Sequence, residues 1–287
     1  MIKKIIHKLL PEDKVKKLRY KYRLGCQKLY APMTEEDFRN VLAQKLGVKR
    51  GDTLFIHSSM DFLNIKFSPF CVLDILMDIV GVEGTLIFPS WHIHIRAEDY
   101  LQDDHNLFDI KHSRGVLGLL PELARRRPEA ERSIHPINSI VAIGKNAKEI
   151  IAGHDRSIYP CGESSPYYKM LKFDARIIGI GVNANFLSFV HCPEDVMKKD
   201  FPMQTRTSQS YFGKVKLSTG EVIEVETLAA HRNIQKRNVP GFLKKHVPEN
   251  IFTPYRIRGS DFFVADANAL FHKMIELAKQ NKTIYNS

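Results

Sequence analysis

Two short polar stretches hold the side chains of this sequence best suited to moving a proton. Arg132-Ser133-Ile134-His135-Pro136-Ile137-Asn138-Ser139 and His191-Cys192-Pro193-Glu194 each interrupt apolar runs, which is where an α/β enzyme usually keeps its chemistry. Pro193 suits a first helical position, so the spacing predicts His191 just before a helix and Glu194 in its first turn, within reach of one another. An imidazole held by a carboxylate is a stronger and better oriented base. That gives His191 the role of general base and Glu194 that of its partner, or the reverse. The plainer alternative is a Glu that complements a helix N-terminus beside a His satisfied in the core. His135 precedes Pro136 and is biased to extended backbone at a loop, with Ser133 and Ser139 nearby; a turn-capping Ser133 and a surface His135 are the plainer reading. Cys192 is read as a small buried filler rather than a thiol nucleophile. Trp91-His92-Ile93-His94 lacks a third ligand at useful spacing, so no metal is expected.

The elements that must position these groups alternate in type. Thr34-Glu35-Glu36-Asp37 has the pattern of a helix N-cap with acids in the first turn, and the main domain is placed from residue 34 to 287. Thr53 to His57 reads as a buried strand, residues 70 to 80 as a helix stopped by Gly81, and Gly84 to Pro89 as a second strand. Further helices are expected over Gly115 to Arg126, Ala147 to Ile151 and Pro166 to Leu171, and strands over Ser139 to Ile143 and Arg176 to Gly181. Such alternation predicts an α/β fold, a central mixed sheet flanked by helices on both faces in three layers. Gly213 to Leu217 and Glu221 to Val225 add a C-terminal hairpin, and residues 266 to 279 a closing helix.

Composition bounds the class. The chain has 287 residues, 44% of them hydrophobic, enough for a sizeable core. Its four cysteines are widely spaced, which favours a reduced, cytoplasmic setting. No apolar run reaches the roughly 18 residues needed to span a bilayer. Of the net charge of +11, residues 1 to 30 hold +8. There Ile2, Ile5, Ile6, Leu9 and Leu10 describe a short basic amphipathic helix ended by Pro11. It would pack on its own domain or a second subunit, or touch the inner membrane surface; no nucleic-acid module accompanies it, and no nucleic-acid partner is expected.

The order of motifs resembles the aminoglycoside 3-N-acetyltransferase family, coenzyme-A-dependent enzymes distinct from the GNAT acetyltransferases. The matching pieces are Gly51-Asp52-Thr53 with His57-Ser58-Ser59-Met60, then Gly84 to Ser90, and Gly115-Val116-Leu117-Gly118. Arg132-Ser133-Ile134-His135-Pro136 with Ser139, Ser164-Ser165-Pro166, and Gly179-Ile180-Gly181-Val182 with His191-Cys192-Pro193-Glu194 complete the set, over roughly residues 34 to 200. The resemblance implies acetyl (or related acyl) transfer from acetyl-coenzyme A to an amine on a sugar. It implies catalytic roles for His191 and Glu194, and a coenzyme channel formed by His57, Ser58, Ser59, Met60, Arg132, Ser133, His135 and Ser139. It further implies an acceptor side with Asp61, Glu163 and Ser165.

The sequence also departs from that family. Aminoglycosides are polycations, and a basic chain suits an anionic acceptor better, such as a nucleotide-linked amino sugar of polysaccharide biosynthesis. The alternatives are true aminoglycoside acetylation and a non-catalytic relative that binds membrane or nucleic acid. From Phe201 onward, including Arg232 to Arg237, the match fades, and this tail is expected to reshape the acceptor side.

Overall fold

A computed structural model of the chain describes residues 12–286. The expected helix through Ile2 to Leu10 lies outside the described residues. Ten strands are present among them: β1 Thr53–Ser58, β2 Thr85–Pro89, β3 Leu107–Asp109, β4 Glu131–Arg132, β5 Ile140–Gly144, β6 Arg176–Ile180, β7 Arg206–Lys216, β8 Val222–Ala230, β9 Phe252–Ile257 and β10 Ser260–Asp266.

Seven strands form one mixed sheet in the order β4-β5-β2-β1-β6-β10-β9. The centre is parallel, with β1 beside β2 and β6, and antiparallel strands close both sides. Leu54, Phe55 and Ile56 of β1 form an unbroken apolar run because the strand is covered on both faces. Phe55 enters one core with the helices Pro166–Lys169, Val239–His246 and Ala267–Lys279, while Leu54 and Ile56 enter the opposite core with Phe38, Leu76 and Leu120. This is the three-layer arrangement that the alternation predicts.

Local chemistry sets the joints. Thr34 caps its helix reciprocally with Asp37, and Gly81 ends the Cys71–Val80 helix at φ 65°. Three expectations are corrected. The helix expected from Gly115 begins only at Leu119, since Gly118 sits at φ 104°, a left-handed backbone that cannot continue a helix. The hairpin is longer than expected and belongs to a separate three-stranded sheet, β3-β7-β8. The chain after it returns through β9 and β10 to extend the main sheet, strands the alternation did not show.

The described part of the basic N-terminal segment is the helix Glu12–Gln27, and it packs on its own domain. Val15 is buried, and Arg23 pairs with Asp261 at 2.9 Å while lying over the Phe62 ring. No helix among the described residues is long and apolar enough to cross a membrane.

Candidate active site

The carboxyl ends of β1 and β6 lie side by side, with His57 opposite Gly179 and Ser58 opposite Ile180. The loops that leave them open a cavity of about 430 Å³ at the usual place for a site in such a sheet. From β1 come His57, Ser58, Ser59, Met60 and Asp61; from beyond β2, Trp91; from the loop before the Leu119–Arg125 helix, Val116 to Gly118. The opposite wall is Asn185, Phe186, Ser188 and His191, with Arg237 arriving from the tail.

His191 opens the helix His191–Met197, following a 3-10 turn over Ser188–Val190. The chain therefore turns helical two residues earlier than Pro193 predicts, and Pro193 sits inside the first turn, where its missing N–H costs no intrahelical bond. The three-residue spacing puts His191 and Glu194 on one side of that turn. His191 Nδ1 stands 2.9 Å from Glu194 Oε2. The histidine side chain retains 11% exposure and the glutamate 1%, so the imidazole faces the cavity and the carboxylate stands behind it. Arg237 donates to His191 Nε2 at 2.7 Å; with that nitrogen accepting, Nδ1 carries the proton and donates to Glu194. Behind the carboxylate, the Tyr285 hydroxyl donates to both Glu194 oxygens, at 3.0 and 3.1 Å. Burial, then the adjacent carboxylate, push the Tyr285 phenol above its usual range, and it remains a neutral donor.

His57 is buried on the β1 side of the cavity, where that side meets Ser188. The Ser188 N–H donates to its Nε2 at 3.1 Å, so Nδ1 bears the hydrogen, and that atom has no partner in the protein. Burial pulls its imidazole down to about 3, which keeps the ring neutral near pH 7.

The second polar stretch lies elsewhere. Arg132, Ser133, His135 and Ser139 are buried and do not line the cavity. The Arg132 guanidinium donates to the carbonyls of Ile110, Ser113 and Ser90 at 3.2, 2.6 and 2.7 Å and covers the Phe108 ring. Burial lowers it to about 9, so it stays charged at neutral pH. Ser133 Oγ accepts from Ile140 N–H and bonds to His154 Nδ1, both at 2.8 Å. His135 stacks on His154 with centroids 4.4 Å apart, and its Nδ1 accepts from Asn138 N–H. Ser139 donates to the Ser90 carbonyl at 2.7 Å. Together they brace the turn that joins β4 and β5 to the end of β2.

Of the residues expected on the acceptor side, Asp61 lines the cavity. Glu163 is paired with Lys198 at 3.1 Å on the surface, and Ser165 is buried with its hydroxyl on the Gly162 carbonyl; neither lines the cavity. Cys192 is fully buried and burial raises its thiol well above the usual range, as a filler rather than a nucleophile. His92 bonds to the Tyr100 hydroxyl at 2.9 Å and stacks on Phe108.

Sequence reasoning missed Arg237 and Tyr285, which belong to the tail where no motif was visible. It also missed Asp195, the neighbour of Glu194, which is fully buried, accepts from Cys161 N–H at 2.7 Å and holds Arg206 through both oxygens. That pair fastens the start of β7 to the helix bearing His191. Asp195 stands beside Glu194 in a stretch that also holds Lys198, Lys199 and Asp200, and its partner is eleven residues away.

A three-layer α/β protein with an imidazole–carboxylate pair facing a cavity at the carboxyl ends of parallel strands is thus the class to which this chain belongs. The family model for aminoglycoside 3-N-acetyltransferase matches residues 55–278, and the chain belongs to that family. Aminoglycoside N(3)-acetyltransferase IX of Micromonospora chalcea is 28% identical over 190 residues, 59% of this chain and 66% of that protein. Aminoglycoside N(3)-acetyltransferase VII of Streptomyces paromomycinus is 30% identical over 165 residues, covering 52% and 56%. The chain therefore spans less than two thirds of the length of either relative. Among solved structures, aminoglycoside acetyltransferase AAC(3)-Xa aligns with a TM-score of 0.76 over 93% of this chain and 99% of its own, at 21% identity. The binary complex of AAC-IIIb with CoASH aligns at 0.71 over 88% and 98%, also at 21% identity. At these identities the likeness is one of fold.

Proposed function

We propose that this chain is a coenzyme-A-dependent N-acetyltransferase that moves an acetyl group from acetyl-coenzyme A to a primary amine on a sugar. One observation carries the reading: His191 faces the cavity with Nε2 while Nδ1 is held by a buried carboxylate.

Alkyl amines are mostly protonated at neutral pH, with values near ~10, so the acceptor must lose a proton before its nitrogen becomes a nucleophile. His191 Nε2 takes that proton. Glu194 accepts from Nδ1 and stabilises the imidazolium, and Tyr285 holds the carboxylate so that its oxygen points at the ring. With Glu194 behind the imidazole, His191 is the base and Glu194 its orienting partner, which favours one of the two orders left open above.

The opposite wall suits the coenzyme. His57, Ser58, Ser59 and Met60, with Val116 and Leu117, present a mixed polar and apolar surface that fits a pantetheine arm of amides and methylenes. The Nδ1–H of neutral His57 is buried without a partner in the protein beside that wall. When bound, acetyl-coenzyme A supplies the electrophilic thioester. Arg132, Ser133, His135 and Ser139 support that wall from behind by fixing the end of β2, and Asp61 stands at the acceptor side.

Two acceptor classes are in play. Family membership favours an aminoglycoside, the class named for both curated relatives. The net charge of +11 favours an anionic amino sugar, such as a nucleotide-linked precursor of a polysaccharide. The test is release of free coenzyme A thiol on incubation with acetyl-coenzyme A and amines of both classes. Turnover with any of them that vanishes in His191→Ala supports the reading, and undiminished turnover in that variant defeats it.

A further inference from the structure

Arg237 is bonded to the one nitrogen that the proposed chemistry must leave free. Its guanidinium donates to His191 Nε2 at 2.7 Å, so an acceptor amine reaching that nitrogen has to displace it. Lys198, Arg206 and Arg232 are paired with the carboxylates of Glu163, Asp195 and Glu98. Among the described residues no carboxylate pairs with Arg237; its hydrogen bond goes to an imidazole.

The main chain beneath it is held while the side chain is exposed. The Asn238 N–H donates to the Ile284 carbonyl at 2.8 Å, and the Asn238 side chain accepts from Gly241 N–H at the start of the Val239–His246 helix. A guanidinium on a fixed stem beside the base leaves Nε2 by rotating its side chain, with no movement of the fold.

Charge then decides which acceptor such a rotation favours. Asp61 and Arg237 are the side chains of fixed charge that line the cavity, one of each sign, with Glu194 buried behind His191, so the lining offers a polycation a single exposed carboxylate. An incoming ammonium strands the guanidinium beside a like charge, unless the acceptor carries an anion with which it pairs. A carboxylate or a phosphate meets the guanidinium fork through two parallel hydrogen bonds.

Resting on the acetyltransferase reading above, we propose that Arg237 selects the acceptor: the substrate is an amino sugar bearing an anionic group, carboxylate or phosphate, close to the reacting amine, and Arg237 leaves His191 to bind that group.

The experiment measures kcat/KM with acetyl-coenzyme A for three acceptors: a nucleoside-diphosphate-linked amino sugar, an amino sugar carrying a carboxylate, and a polycationic aminoglycoside such as sisomicin. Each is run with the unaltered chain, Arg237→Gln and Arg237→Lys. The unaltered chain prefers an anionic acceptor, and in R237Q the ratio of anionic to polycationic kcat/KM falls roughly tenfold or more, as loss of a charge-assisted pair requires. R237K, which keeps the charge without the fork, gives an intermediate ratio. Preference for the phosphate-bearing or the carboxylate-bearing acceptor identifies the group. A polycation preferred by the unaltered chain, or a ratio unchanged in R237Q because all acceptors fall together, overturns the selection while leaving acetyl transfer standing. Absence of turnover with every acceptor defeats the acetyltransferase reading, and the selection with it.

Discussion

The main-chain N–H of Asn238 donates to the carbonyl of Ile284 at 2.8 Å, tying together two stretches of the tail that reach the same pair of side chains from opposite directions. Arg237, one residue before Asn238, touches the outer nitrogen of His191; Tyr285, one residue after Ile284, touches Glu194. The line Arg237–His191–Glu194–Tyr285 is thus a continuous set of hydrogen bonds whose ends are anchored to each other through the backbone.

If His191 is the base, removing it costs the whole of general-base assistance, about 10²- to 10⁴-fold in kcat. His191→Ala is expected to show that loss, and Glu194→Gln a smaller one in the same direction. Titration calorimetry with coenzyme A should find affinities within about threefold of the unaltered chain for both variants. A collapse of coenzyme binding instead of kcat would mean that the pair shapes the channel rather than the reaction.

Tyr285→Phe removes a donor from a buried carboxylate and little else. A hydrogen bond to a charged group is worth about 1.5–3 kcal/mol, and the expected outcome is a kcat lowered about tenfold or more with KM for both substrates nearly unchanged. Steady-state kinetics decide the matter: a raised KM at constant kcat would assign Tyr285 to substrate contact rather than to holding Glu194.

The parts of this architecture legible in the sequence were those whose signals are local. The strand, helix and strand from Thr53 to Pro89 announce themselves through unbroken apolar runs and a stopping glycine, and His191 and Glu194 through their three-residue spacing. The strand Phe252–Ile257 carries Pro254 and alternates in exposure because it lies at the sheet edge, which hid it among turn residues. The resemblance implied a channel role for Ser133, His135 and Ser139; in the fold they are buried and hydrogen-bonded among themselves and their neighbours, an arrangement that polar residues amid apolar ones do not reveal in one dimension. Arg237 and Tyr285 carry no local mark, and only the Asn238–Ile284 bond brings them to the site.

Arg132 separates bracing from binding. Arg132→Met leaves the carbonyls of Ile110, Ser113 and Ser90 without their donor, the buried Ser90 contact alone costing about 1–3 kcal/mol, and for a chain of this size the melting temperature should drop by about 2 °C or more. Coenzyme A affinity, measured well below the new midpoint, should change less than about threefold. A large loss of affinity with an unaltered melting temperature would return Arg132 to the coenzyme channel that the resemblance implies.

Acid should unfold the protein earlier than its carboxylates alone require. Burial holds His57 and His154 at about 3, and His135 well below its ordinary value, whereas in the unfolded chain each titrates near ~6.5. Below that value the unfolded state binds protons the native state refuses, so stability is fully present above about pH 6.5 and is lost as pH falls. His57 and His154 together give a slope of roughly 2.7 kcal/mol per pH unit below about pH 5.5. Denaturant unfolding between pH 7 and 5 measures it, and His154→Gln should make the curve shallower by about one proton; a pH-independent midpoint over that range would contradict the burial of these rings.

The two walls of the cavity come from stretches of chain far apart in sequence. His57 through Leu117 follow strands of the parallel centre of the sheet, whereas Arg237, in the loop after the second, three-stranded sheet, joins Asn185, Phe186, Ser188 and His191 on the facing wall. If the wall from His57 to Leu117 holds the thioester as proposed, a change of residues beyond Ala230 alters which nucleophile is admitted while leaving that wall intact. Grafting that final segment between members of the family is the natural way to exchange their tastes in amines.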